Sequence, residues 1–168
     1  MARKNIPNSV SKEYLLKSLV NLMHEHTYQS ITITDITSAA GVSRMAYYRN
    51  YAQKDEIISK FILSVAEKVE GHQPEEWLVA FFETLARECF VKDCALGKAI
   101  EEASCHQLLA DTVALALNRA CGEKLRADGV WQSVMIGAFC GAFIDSSKRG
   151  SIDDVNDYVQ ALKKMLLH

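Results

Sequence analysis

The sequence predicts an all-α protein of about nine helices, with a small N-terminal domain over residues 1–53 and a larger helical domain over residues 54–168. Apolar residues recur at helical spacing along most of the 168 residues. Only two prolines and eight glycines interrupt that pattern. The composition, 49% hydrophobic and 24% charged, is typical of a globular protein with a buried core.

The first helix starts at Ser9 or Ser11 and runs to about His26. One apolar stripe lies along it, which predicts a single buried face formed by Tyr14, Leu15, Leu19, Leu22 and Met23.

Two short helices follow, at about residues 33–40 and 44–50. Thr32 is a candidate N-cap, and Asp35 stands three residues later to complete a capping box. Gly41 permits the positive φ of a sharp helix exit, and Ser43 is the candidate cap of the second helix. The pair is typical of a helix-turn-helix, whose second helix suits insertion into the major groove of double-stranded DNA.

A long fourth helix is expected over residues 54–70, with Asp55 and Glu56 in its first turn, where negative charge is favoured. Residues 71–74 then break the chain and are a candidate domain boundary, although the helix before them belongs in part to both domains. The remaining helices are expected at about residues 75–91, 95–104, 107–127, 130–148 and 152–167.

The penultimate helix is apolar around nearly its whole circumference, so it needs cover on several sides. One explanation is that it forms the centre of a monomeric bundle. The other is a homodimer, in which it packs with the last helix against a second copy of the chain. We favour the homodimer because a terminal helix pair has few neighbours in its own chain. Its expected interface contains Trp131, Met135, Phe139, Phe143, Tyr158, Val159 and Leu162.

Charge and cysteine content restrict the class of protein further. Residues 1–60 contain eight Lys or Arg against five Asp or Glu, whereas residues 61–168 contain eleven against sixteen. A basic first third indicates a phosphate-binding module. Five cysteines without regular spacing argue against a disulfide framework, and no signal-peptide pattern is visible. The longest apolar run is too short for the roughly twenty residues that cross a bilayer, so we expect a cytoplasmic protein without a membrane partner.

Three strings stand at fixed spacing around the two short helices: Ala40-Gly41-Val42-Ser43, Tyr47-Tyr48-Arg49-Asn50-Tyr51 and Lys54-Asp55-Glu56-Ile57. Over roughly residues 10–60 the chain thereby resembles the DNA-binding domain of TetR-family transcriptional regulators. It departs from the usual pattern of that family at Thr37, Met45 and Gln53. Beyond this region the resemblance extends to the helix count and to the apolar penultimate helix.

The resemblance implies that Tyr48 and Lys54 contact backbone phosphates, which position a protein without reading sequence. Thr34 is a candidate phosphate or base contact. Three residues at the start of the recognition helix are the candidates for contact with base edges: Arg44 with guanine, and Met45 or Ala46 with a thymine methyl group. Arg49 is a further candidate DNA contact, with an ion pair to a neighbouring helix as the alternative. Two copies of the recognition helix, about 34–36 Å apart, are expected to bind a palindrome.

For the helices after residues 71–74, called the body below, the resemblance implies a pocket for a small-molecule effector among the middle helices. Candidate lining residues are Trp77, Phe81, Phe82, Phe90 and His106, each of which could equally be ordinary core. Cys89, Cys94 and Cys105 could form a thiol sensor, or could be inert buried cysteines. No metal-ligand spacing, catalytic set or cofactor motif stands out, so we expect no metal, no cofactor and no enzymatic activity.

The sequence as a whole favours a homodimeric DNA-binding transcriptional regulator, a repressor that an effector releases from its operator. Two other functions stay open: a TetR-like coactivator that requires a protein partner, and a protein-interaction or metabolite-binding module.

Overall fold

The computed structural model of the protein describes residues 8–69, 73–91, 95–122 and 129–167. These residues form nine α-helices and one 3₁₀ turn (Tyr28–Ser30), and they contain no β-strand. The helices are α1 (Asn8–Met23), α2 (Ile33–Ala39), α3 (Arg44–Tyr48), α4 (Asp55–Ala66), α5 (Pro74–Val91), α6 (Leu96–Glu102), α7 (His106–Cys121), α8 (Gly129–Arg149) and α9 (Ile152–Leu166). The all-α prediction is confirmed.

Several helices end earlier than the sequence predicted. Helix α1 stops at Met23 rather than at His26, and α4 stops at Ala66 rather than at residue 70. In both places an amide just beyond the helix bonds three residues back, from His24 N to Asn21 O at 3.2 Å and from Lys68 N to Val65 O at 3.0 Å, which tightens the last turn. Residues 70 and 123–127, predicted as the ends of two helices, lie outside the described residues.

One hydrophobic cluster extends from α1 to α9. Helix α5 packs along α9, α6 along α8, and α4 along α7. Aromatic rings fill the centre of the body: Phe81 stacks on Phe139 at 5.0 Å between ring centroids, and Phe82 meets Phe139 edge-on at 5.8 Å. These ring contacts join α5 to α8, and they stabilise the fold by more than the burial of their apolar area alone.

Helix α1 contacts α2, α3 and α4, and it also contacts α6 of the body. The backbone amide of Tyr28, just after α1, donates to the carbonyl of Ala103 at the end of α6 (3.1 Å). The first four helices are therefore attached to the body through α6 as well as through α4. The division of the chain at residue 54 remains a prediction.

Candidate nucleic-acid interface

The start of α2 is fixed by a capping box. The amide of Asp35 donates to the hydroxyl oxygen of Thr32 (3.2 Å), and the amide of Thr32 donates to the Asp35 carboxylate (2.8 Å). Hydrogen bonds from the Thr32 side chain and then its backbone lower the pKa of Asp35 below its usual value. The predicted cap is confirmed, and it defines where α2 begins.

The turn between α2 and α3 has the geometry that the sequence predicted. Gly41 has φ +64°, a conformation that a residue with a Cβ adopts only with strain. The amide of Val42 donates to Thr37 O (3.1 Å), which closes the end of α2. Ser43 then caps α3 by accepting from the amide of Ala46 (3.1 Å). The angle between α2 and α3 is thus set by local hydrogen bonds.

Helix α3 has one exposed face and one buried face. Met45 is 74% exposed and Tyr48 is 56% exposed, and Arg44 lies on the same open side. Tyr47 is fully buried, with its ring 5.8 Å from that of Tyr51. Ala46 is also buried, at 9% exposure, so the structure turns this residue away from the face on which a base contact was expected. The exposed face is therefore carried by Arg44, Met45 and Tyr48.

An open groove of about 540 Å³ separates α2 from the start of α3. Thr34 lies on its α2 side and Arg44 on its α3 side, and Nη2 of Arg44 donates a hydrogen bond to Oγ1 of Thr34 across it. The sequence predicted both residues separately but not their contact, because the two helices had to be packed before the pair could meet.

Lys54 lies at the N-terminus of α4, and its ammonium group contacts groups of the same chain. Nζ donates to Ile31 O at 2.8 Å and to Tyr28 O, and it lies 4.4 Å from the centre of the Tyr28 ring. Burial is the main cause that lowers the pKa of Lys54. An ammonium has three donors, so one N–H is left for the phosphate that the resemblance implies.

Tyr28 is a site residue that the sequence analysis missed. Its hydroxyl donates to Oδ1 of Asp55 at 2.8 Å, and burial followed by this bond raises its pKa. It is 5% exposed and joins the connector before α2 to the start of α4. A buried aromatic in a polar connector was the only signal that could have identified it.

Arg49 is exposed at the C-cap of α3. Asn50, next to it, is buried, and its side-chain amide donates to Ala46 O at 2.9 Å. Lys60 of α4 donates in turn to Asn50 O at 2.8 Å. These bonds hold the C-terminal end of α3 against α4.

The candidate pocket residues differ in burial. Trp77, Phe81 and Phe82 are buried, with Trp77 4.8 Å from Phe81 between ring centroids, so they pack as core. His106 is the first residue of α7 and is exposed. The side chain of Phe90 lies outside the described residues.

The residues predicted for dimerisation divide into two groups. Phe139 and Phe143 are fully buried within the single chain, and Met135, Val159 and Leu162 are between 3% and 9% exposed, because α8 and α9 are covered by α5 and α6. Trp131 and Tyr158 are half-buried. The outward side of α8 carries different residues, Val130 (75% exposed) and Val134 (57% exposed) with Gly137 and Gly141.

The buried cysteines have the properties of inert thiols. Cys105 donates to Ile100 O, and burial raises the pKa of its thiol to about 11. Cys89 is also buried, and Cys94 lies outside the described residues. Within the described ranges, no three His, Cys, Asp or Glu side chains come together as a metal site.

The capped α2–turn–α3 unit and its exposed face define an all-α protein of the helix-turn-helix class. The chain is similar to a Bacillus subtilis protein described as "Uncharacterized HTH-type transcriptional regulator YwcC", with 27% identity over 99 residues. The aligned stretch covers 59% of this chain but 41% of that relative, so the chain spans less than half the relative's length. No protein-family profile matches the chain. By its name, that relative is a transcriptional regulator of the helix-turn-helix type.

Among the residues that the structure describes, no helix has both the length and the apolar character needed to cross a membrane.

Proposed function

We propose that this protein is a TetR-like, sequence-specific DNA-binding regulator that places α3 in the major groove of double-stranded DNA. The observation that carries the proposal is the exposed face of α3, with Arg44 at its first position, Met45 next to it and Tyr48 one turn on. Ser43 caps this short helix, and α1 and α2 pack against it. A short, rigid helix with polar groups at its N-terminal end is what base-edge readout requires.

The phosphate contacts we propose come from the C-terminal end of α3 and from the N-terminus of α4. Tyr48 is exposed, so its hydroxyl is available to a phosphate oxygen. Arg49 at the C-cap adds a cation, and Lys54 adds the N–H that its two carbonyl partners leave unused. Contacts of this kind supply affinity and register but no sequence preference.

We propose a homodimer, because one α3 reads too few base pairs to select a site. The surface that supports it is the outward side of α8, where Val130 and Val134 are exposed and a Cβ at Gly137 or Gly141 would meet nothing within 4 Å. Small residues there would let a second α8 approach closely. The two chains would then present their α3 helices to a palindromic site.

The proposed regulation is release of the protein from its operator by a small-molecule effector, which makes the protein a repressor in the cytoplasm. It is supported by the attachment of the DNA-binding helices to the body at two points, α4 and the end of α6. A ligand that binds one arrangement of these elements better than the other shifts their populations. A coactivator that acts through a protein partner is the alternative function.

Binding to duplex DNA from the region flanking its own gene tests the proposal. We expect fluorescence anisotropy to show binding that weakens as salt rises, with a slope set by the number of phosphates contacted. Tyr48→Phe should weaken binding uniformly across sequences, whereas Tyr14→Phe, an exposed tyrosine on α1, should leave it unchanged. Absence of DNA binding at low salt, or a Tyr48→Phe variant with wild-type affinity, would contradict the proposal.

A further inference from the structure

The hydrogen bond between Arg44 and Thr34 joins the two helices of the helix-turn-helix across their groove. Nη2 of Arg44 donates and Oγ1 of Thr34 accepts. Both residues are exposed, so neither is held in place by burial. The bond therefore restrains a long side chain that would otherwise sample many rotamers.

Thr34 is itself held firmly. It lies in the first turn of α2, two residues after the Thr32 cap, and its carbonyl accepts from the hydroxyl of Thr37 at 3.1 Å. Arg44 is the first residue of α3, directly after the Ser43 cap. The two partners are thus fixed by the two caps that define the motif.

The Arg44–Thr34 pair keeps hydrogen-bond donors that are available to a ligand. A guanidinium has five N–H donors, and the bond to Thr34 uses one of them. The other N–H groups form a planar fork that matches O6 and N7 of guanine in the major groove. A threonine oxygen that accepts from Arg44 keeps its own O–H donor, so direct contact of Thr34 with a phosphate is the alternative that the experiment must separate.

We propose that Thr34 is a positioning residue for base readout: by holding the Arg44 guanidinium, it makes Arg44 select one guanine in each half-site. This inference rests on the proposed DNA-binding function and assigns the specificity to one pair of residues. Thr34 acts through Arg44 and not by direct contact with the DNA backbone.

Selection from a random-sequence duplex library, followed by sequencing, tests the assignment without a known operator. The wild-type protein should enrich one guanine position per half-site. Arg44→Ala should abolish the preference at that position alone. Thr34→Val, which keeps the shape of threonine and removes its oxygen, should reduce the preference about two- to tenfold, as expected for one side chain released from immobilisation. Thr34→Ser, which keeps the oxygen, should restore it.

A second measurement separates positioning from phosphate contact. Under our proposal, the salt dependence of non-specific binding is the same for Thr34→Val and for the wild type. In the Thr34→Val/Arg44→Ala double variant, base preference should equal that of Arg44→Ala, because Thr34 acts only through Arg44. Circular dichroism should confirm that all variants keep their helices.

Each of three results would overturn the assignment. One is a Thr34→Val variant with unchanged base preference. Another is a uniform loss of affinity with the base preference intact, which would make Thr34 a backbone contact. The third is a wild-type protein that binds DNA but enriches no sequence. If the wild type does not bind DNA at all, the proposed function itself fails, and that outcome is separate from the others.

Discussion

At the N-terminus of α4, the ammonium group of Lys54 donates a 2.8 Å hydrogen bond to the backbone carbonyl of Ile31. The same group bonds to Tyr28 O, so one side chain satisfies two carbonyls of the connector between α1 and α2. These bonds join the start of α4 to the segment that leads into the helix-turn-helix. Lys54 is consequently part of the internal architecture as well as a candidate phosphate contact.

Replacing Lys54 with methionine keeps the apolar stem and removes the ammonium. We expect the free energy of unfolding to fall by about 1–3 kcal/mol, since two partly buried carbonyls lose a charged donor. Lys98→Met is the matched control: Lys98 is exposed and pairs with Glu102 at 3.8 Å, an arrangement worth about 0–1 kcal/mol. Urea unfolding measures both, and equal losses for the two variants would show that the Lys54 bonds add little.

Tyr28→Phe removes the hydroxyl that donates to Asp55 while leaving the ring in place. The free energy of unfolding should fall by about 1–2 kcal/mol, because the bond is partly buried and its acceptor is charged. Tyr14→Phe, on an exposed residue, should change it by less than about 0.5 kcal/mol. The prediction fails if thermal unfolding gives Tyr28→Phe and Tyr14→Phe the same midpoint.

Tyr47 is fully buried, and its hydroxyl has no hydrogen-bond partner among the described residues. An unsatisfied buried hydroxyl costs about 1–3 kcal/mol, so Tyr47→Phe should leave the free energy of unfolding unchanged or raise it by about 1 kcal/mol. A loss above about 1 kcal/mol, measured by urea unfolding, would mean that the hydroxyl has a partner, such as a bound water.

The same substitution has a pH signature. Burial raises the pKa of Tyr47 from 10.0 to about 12, so the folded protein keeps a proton between these values that the unfolded chain releases. The pH-dependent contribution of Tyr47 to stability is complete below pH 10 and is lost as the pH rises towards 12. The Tyr47→Phe variant should therefore lose stability less steeply than the wild type in this range. Parallel curves would contradict the raised pKa.

Gly97 on α6 marks the closest approach to α8. A Cβ at this position would lie 2.8 Å from the carbonyl oxygen of Phe143 and closer still to the hydroxyl of Ser147. Gly97→Ala should therefore destabilise the protein by about 1–3 kcal/mol through overpacking. Lys98→Ala, on the exposed side of the same helix, breaks only a 3.8 Å surface pair and should change stability by less than about 0.5 kcal/mol. A tolerated Gly97→Ala would show that α6 and α8 separate easily.

The proposed dimer surface is tested by placing a charge on it. Val134→Glu should shift the sedimentation mass from dimer to monomer at micromolar concentration, because two carboxylates would face each other across the two-fold axis. Leu115→Glu alters an exposed apolar residue of similar exposure on α7 and should leave the dimer intact. A monomeric wild type, or a dimeric Val134→Glu, would rule out this surface.

Local patterns in the sequence determined the elements of the helix-turn-helix. Thr32 and Asp35 formed the predicted capping box, Gly41 took the predicted positive φ, and Ser43 capped α3, because each of these features depends on residues at most three positions away. The all-α class followed for the same reason, from periodicity within each helix.

Which face of each helix is buried, and which side chains meet across helices, was decided only by the tertiary structure. Phe139 and Phe143 were predicted at a dimer interface, yet α5 and α6 already cover their side of α8 in the single chain. A helix that is apolar all round gives no sign in its sequence of which neighbour covers which side.

The contacts between Thr34 and Arg44, and between Lys54 and the carbonyls of Tyr28 and Ile31, arise in the same way. They join residues 10 to 26 positions apart in the chain, whose distance depends on how the helices pack and not on the periodicity of any one helix.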